Sequence, residues 1–107
     1  MYIMSDQSGV YSFEWDAGNL DKSYQKHGIH PKEAEEIFLD QDLLIIEDIK
    51  HQQDEPRFIA LGKTIEKRVL FVVFTLRHTK VRVISARRAH RKERKFYEEK
   101  AQTNSSI

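Results

Sequence analysis

Apolar residues recur along this chain first at period two, then at helical spacing, then at period two again. Each change marks an element. Phe13-Glu14-Trp15-Asp16 alternates apolar and acidic, which predicts a short strand with Phe13 and Trp15 on one face. Asp16 or Asn19 can cap a helix over residues 20–27, stopped by Gly28. Pro31 suits the first turn of a second helix, about 31–39, whose Ala34, Ile37 and Phe38 fall at i, i+3 and i+4 and form one apolar stripe. Asp40 to Asp42 reads as a turn.

The second half reads as strands. Leu43-Leu44-Ile45-Ile46 begins a strand over 43–49, and Lys50 to Pro56 is a polar connector. Strands over 57–61 and 67–75 flank Gly62-Lys63-Thr64, the predicted turn between them. Val69 to Phe74 is apolar without alternation, so it should be a central strand covered on both faces. His78-Thr79-Lys80 is a tight connection to a strand over 81–86. There Val81, Val83 and Ser85 should share one face, and Arg82, Ile84 and Ala86 the other. A last helix spans 89–101, with Phe96, Tyr97 and Ala101 on its buried side. The order β-α-α-β-β-β-β-α predicts an α+β domain, a small antiparallel meander sheet with helices on one side. Residues 1–12 read as a flexible N-terminal arm, 13–101 as the single domain and 102–107 as a flexible tail.

Charge adds what periodicity does not. From Arg77 to Lys100 the net charge is +7, whereas from Met1 to Ala60 it is −8, although the whole chain carries only +1. A near-neutral protein with its charge segregated in this way has one region suited to a polyanion. The 107 residues contain no cysteine, hence no disulfide framework and no thiolate metal site, which fits a reducing cytoplasm. No apolar run is long enough to span a membrane, and the first residues lack the basic and apolar regions of a secretory signal. There is no P-loop, no G-x-S-x-G and no glycine-rich nucleotide loop. His30, His51, His78 and His90 show no metal-ligand spacing, so no metal site is expected.

The candidate chemistry lies among the cations. Arg82 emerges mid-strand among apolar neighbours, where an unpaired charge is costly. It either pairs with a carboxylate of the first half, Glu14 or Asp16, or clamps a phosphate with its fork of donors. Arg77 stands at the exit of the central strand, and Arg87 and Arg88 at the exit of the last. With Arg91, Lys92, Arg94 and Lys95 they form either a footprint for a nucleic-acid backbone or an ordinary solvated surface. Lys26-His27-Gly28 ends the first predicted helix, where His27 either serves as a C-terminal cap or titrates near working pH.

Several of these pieces together resemble the BrnT family of bacterial type II toxin–antitoxin ribonucleases. They are Phe13-Glu14-Trp15-Asp16; Lys26-His27-Gly28 with Ala34 to Asp40; Glu55 and Arg57 before Leu61-Gly62; Thr75-x-Arg77; and Arg82 to Ala89 followed by Glu93-Arg94 and Tyr97. The resemblance implies a RelE-like toxin fold and an endoribonuclease that cuts RNA without a metal or other cofactor. It implies a ribbon-helix-helix antitoxin as partner, with operator DNA bound only through the toxin–antitoxin complex. On this basis Lys26 or His27 is assigned to proton transfer and Arg57, Arg77 and Arg82 to phosphate charge. Arg87 and Arg88 are assigned to flanking phosphates, with Arg91 and Lys92 along the same nucleic-acid surface, and Glu93 orients an arginine. The chain departs from the family pattern at Asn19, Ser23, Phe58 and Leu76, and Pro56 interrupts a Glu-Arg pair. A non-catalytic relative of the same fold, binding RNA or the antitoxin and regulating the operon, is the alternative.

Overall fold

The computed structural model describes residues 12–15, 27–51 and 55–105. Five strands, β1 (Phe13–Trp15), β2 (Leu44–Glu47), β3 (Phe58–Lys63), β4 (Val69–Arg77) and β5 (Lys80–Arg88), form one sheet in the order β1-β5-β4-β3-β2. β2 to β5 are the predicted antiparallel meander. β1 joins its edge in parallel, a strand pairing that the predicted meander did not include, with Glu14 opposite Arg82. Helix α1 (Pro31–Glu36) continues into a 3-10 turn, Ile37–Leu39, and α2 (Arg91–Ser105) ends the described chain. Most of the helix expected over 20–27 lies outside the described residues. Gly28 does take the left-handed φ of 68° that a helix stop uses.

The sheet is covered on both faces, not one. Leu70, Val72 and Phe74 of β4 face α1 and pack with Ile29, Ala34, Ile37, Phe38, Ala60, Val81, Val83 and Ala86. Phe38 sits edge-on to Phe13 and Phe74, with ring centroids 5.3 and 5.4 Å away. The alternate β4 residues face the other way, and Val69 and Phe71 pack with Leu61, Leu44, Ala89 and Tyr97 beneath α2. Continuous hydrophobicity in β4 reflects this double cover. α2 uses Tyr97 as its anchor, whereas Phe96, expected to be buried, is 42% exposed. The helix also runs four residues past its expected end.

Both α1 and α2 start on a histidine. His30 accepts from the Lys32 N–H through Nδ1 at 3.2 Å, and Glu33 accepts from the His30 N–H at 3.1 Å, a reciprocal capping box. Glu93 accepts likewise from the His90 N–H at 2.7 Å. Asp40 gathers the two layers: its carboxylate accepts from the Lys63 N–H at 2.8 Å, the Asp42 N–H at 3.0 Å and the Tyr97 hydroxyl. Burial, then the Asp40 hydrogen bond, pushes the Tyr97 phenol well above its ordinary range.

Two turns differ from expectation. The β3–β4 connection is Thr64–Arg68, so Gly62 lies inside β3 rather than in the turn. The β4–β5 hairpin has His78 and Thr79 at its tip with φ of 50° and 68°. Asn-Gly is the usual choice where both central residues have positive φ, and a β-branched threonine there is strained. Thr79→Gly is expected to raise stability by about 1 kcal/mol. Chemical denaturation reads this as a higher midpoint with an unchanged slope.

One irregularity decides which way the side chains of β5 face. Val73 pairs with Ser85, but Phe74 pairs with Val83, so Ile84 is an extra residue in a β-bulge. The bulge reverses the facing of everything after it. Ser85 turns to the side of Arg82, and Ala86 joins Val81 and Val83 in the core, the opposite of the expected alternation. As a result Arg82 and Arg87 share one face of the sheet.

Candidate nucleic-acid interface and active site

On the sheet face that α2 only partly covers, the end away from α2 carries a polar row running across all five strands. Its members in spatial order are Glu14, Arg82, Thr75, Arg57 and Asp48. Glu14 pairs with Arg82 and Arg82 with Thr75 in strand register. The Asp48 N–H donates to the Arg57 carbonyl at 2.7 Å, which extends the β2–β3 ladder to this level. Thr75 is buried and its hydroxyl donates to the Pro56 carbonyl, fixing the strand that brings Arg57 in. The side chains then pair along the row. Arg82 donates to Glu14 at 3.3 Å, and the Arg57 guanidinium stands 3.6 Å from the Asp48 carboxylate.

Arg77 stands beside the row at the end of β4. Its guanidinium engages Glu55 in a fork, Nε to one carboxylate oxygen at 2.9 Å and a terminal nitrogen to the other at 3.2 Å. That hydrogen bond holds the Glu55 carboxyl below the usual range, with Arg82 adding to the effect from its position on β5. The Arg77 guanidinium is held cationic by the same partner. Arg57, Arg77 and Arg82 therefore converge on one end of the sheet with part of each side chain open to solvent. The Glu14 partner is legible in the sequence as one of two options. The carboxylates of Glu55 and Asp48 and the imidazole of His51 carry no such signal, because their approach depends on how β2 and β3 end.

The remaining cations are dispersed. Arg87 lies on the same face nearer α2, its guanidinium 3.9 Å from the centre of the Phe71 ring and forked onto Glu93 at 2.8 and 2.9 Å. Glu93 thus holds the Arg87 guanidinium in place, the orienting role that the resemblance implied. Arg88 pairs with Leu70 in register and so points to the α1 side of the sheet. Arg91 and Lys92 are exposed in the first turn of α2. His27 is exposed ahead of Gly28, and Lys26, Asn19 and Ser23 lie outside the described residues. Leu76, one of the departures noted in the sequence, packs against the main core, and Phe58 stacks on Phe74 at 5.3 Å. No group of three or more His, Asp or Glu that could hold a metal ion occurs among the described residues, and none of their helices is long and apolar enough to cross a membrane.

The Arg87–Glu93 pair gives a pH test of this architecture. The hydrogen bond from Arg87, aided by the His90 N–H and opposed by partial burial, holds the Glu93 carboxyl below its ordinary 4.5. A depressed carboxylate adds stability above its unfolded pKa and loses it as pH falls through the folded one. Glu93→Gln is expected to cost about 1–2 kcal/mol near neutrality, from the weakened pair and cap. The gap to the parent should narrow as pH drops below the ordinary carboxylate range, read by denaturant titration at neutral and acid pH.

A small α+β domain with arginines gathered at one end of its sheet matches a class of ribonuclease toxins. The family model described as "Ribonuclease toxin, BrnT, of type II toxin-antitoxin system" matches residues 15–93. The chain belongs to the BrnT family of type II toxin–antitoxin ribonuclease toxins. The crystal structure of the Brucella abortus ribonuclease toxin BrnT is similar in fold, with a TM-score of 0.58 at 19% identity, covering 77% of this chain and 100% of that one. Among curated proteins none matches the chain.

Proposed function

We propose that this chain is an active, metal-independent endoribonuclease whose catalytic site is the end of the sheet that carries Arg57, Arg77 and Arg82. The supporting observation is the convergence of these three guanidiniums, from the residue ahead of β3 and from β4 and β5, on one partly solvated surface. In the reaction the ribose 2′-oxygen attacks the adjacent phosphorus and the bond to the 5′-oxygen breaks, leaving a cyclic phosphate and a free 5′-hydroxyl. The three arginines neutralise charge that builds on the phosphorane. Arg87 binds a flanking phosphate on the same face, and Arg91 and Lys92 extend the cationic surface, with Arg88 around the sheet edge. Lys26 or His27 protonates the leaving oxygen. A cognate ribbon-helix-helix antitoxin inhibits the enzyme in the cytoplasm, and operator DNA is bound only through that complex.

The second reading is a non-catalytic relative that binds RNA or the antitoxin. It draws on the carboxylates, because Glu55 and Glu14 already engage Arg77 and Arg82 and a phosphate must displace or share them. Incubation of the purified chain with a defined, ribosome-free RNA in excess EDTA decides between them. Cleavage that leaves cyclic-phosphate ends is the expected result. An intact RNA in the presence of folded protein would overturn the free-RNA ribonuclease reading in favour of a binding protein or an enzyme that needs the ribosome.

A further inference from the structure

The polar row ends in a carboxylate–imidazole pair. Asp48 closes the row at the end of β2 with only 9% of its surface exposed, and its backbone is fixed by the bond to the Arg57 carbonyl. A buried carboxylate requires partners. Arg57 supplies one at 3.6 Å, and the other is His51, whose Nδ1 lies 2.9 and 3.1 Å from the two Asp48 oxygens. His51 belongs to a 3-10 turn, Ile49–His51, that folds back so that its N–H reaches the Asp48 carbonyl. Its side chain is nevertheless 64% exposed, in contrast to 11% for Asp48.

We propose that His51 is the general base of this site, with Asp48 as its positioning residue. The inference rests on the ribonuclease reading given above. An ionised carboxylate only accepts hydrogen bonds, so the imidazole carries its proton on Nδ1 and presents Nε2 as the free basic nitrogen. Nε2 takes the proton of the ribose 2′-hydroxyl as O2′ forms its bond to phosphorus. The Asp48 carboxylate stabilises the imidazolium that results. The bond from phosphorus to O5′ breaks, and O5′ receives its proton from the separate acid assigned to Lys26 or His27. Among the described residues, the charged groups around His51 are Asp48 just past β2, Arg57 ahead of β3 and Lys50 in its own turn, with the Glu55–Arg77 pair ahead of Arg57. Asp48 thus holds one imidazole, His51, and one phosphate-directed cation, Arg57, on the same anchor, which sets their spacing before substrate arrives.

The test is cleavage of a single-linkage oligoribonucleotide by the full chain from roughly pH 5 to pH 9, the range in which histidine titrates. The parent is expected to gain activity with pH through the histidine range. His51→Ala should lower kcat by roughly 10²–10⁴-fold, the usual contribution of general acid–base catalysis, and abolish that rise. RNA affinity should stay near parental, the melting midpoint should fall only by the roughly 4–8 °C that one lost hydrogen bond to Asp48 accounts for, and added imidazole should restore part of the rate. His51→Asn, which keeps a donor for Asp48 but lacks Nε2, should be equally inactive, so loss of the turn cannot explain the result. Asp48→Asn should lower kcat with little change in KM, whereas Asp48→Glu should recover part of the loss. A parent that cleaves beside a His51→Ala variant with parental kcat and pH profile overturns the role of His51 alone. A folded parent that fails to cleave overturns the ribonuclease reading and this role with it.

Discussion

Replacing Arg77 and Arg82 together by alanine is expected to abolish RNA cleavage while the protein remains folded. The two guanidiniums reach the same end of the sheet from adjacent strands, one forked onto Glu55 and the other paired to Glu14. In-line attack on a phosphate concentrates negative charge on the non-bridging oxygens, and a preorganised donor aimed at such charge is worth roughly 10²–10³ in rate. Loss of both should therefore remove about 10⁴-fold or more. The fold should tolerate the change, because both pairs are partly exposed and neither arginine contributes to the two apolar clusters. Arg77→Lys keeps the charge but not the fork, so it should fall between parent and alanine variant. Single-turnover cleavage assays beside circular dichroism separate catalysis from folding, and parental activity in the double variant would remove both arginines from the mechanism.

Gly62→Val should damage the fold more than any of the substitutions above. A Cβ at this position would stand 2.7 Å from the Ile37 Cβ, 3.0 Å from the Ile37 carbonyl oxygen and 3.1 Å from a Leu43 methyl. Ile37 is completely buried and its backbone forms the 3-10 turn after α1, so neither its Cβ nor its carbonyl can swing aside. Overpacking of this kind costs about 1–3 kcal/mol, and the backbone contact puts this site at the upper end. For a domain of this size that lowers the melting midpoint by roughly 10–20 °C. Gly62→Ala should show a smaller loss of the same sign. A parental melt for Gly62→Val would mean that β3 and the turn do not approach as closely as the structure has them.

Legibility from sequence varies by residue. The strands through Leu44, Phe58, Val69 and Val81, and the helices that start at Pro31 and near Arg91, follow from apolar spacing and caps that lie within a few residues of each other. Glu93 as an orienting partner was suggested by the resemblance; its arginine, Arg87, stands six residues earlier on β5. Glu55 and Asp48 are polar residues in or beside a connector, and nothing local says that a connector will run beside Arg77 or close a row with Arg57. Gly62 invites a turn because glycine commonly marks one, yet here it answers to the close approach of Ile37. Phe96 reads as buried from its apolar character, but its neighbour Tyr97 alone suffices to anchor α2 and leaves it half outside.

The sequence by itself determined the α+β class, the antiparallel meander, the segregation of charge and the family resemblance. These rest on periods and motifs that are complete within short stretches of chain. Tertiary structure decided which cations share a face. The bulge at Ile84 brings Arg87 onto the face of Arg82 and sends Ala86 into the core, while the parallel entry of β1 delivers Glu14 to Arg82. Alternation assigns side chains to faces only while register is unbroken, and a single extra residue reverses every assignment beyond it. The row from Glu14 to Asp48 therefore exists only once five strands, distant in sequence, have set their registers against one another.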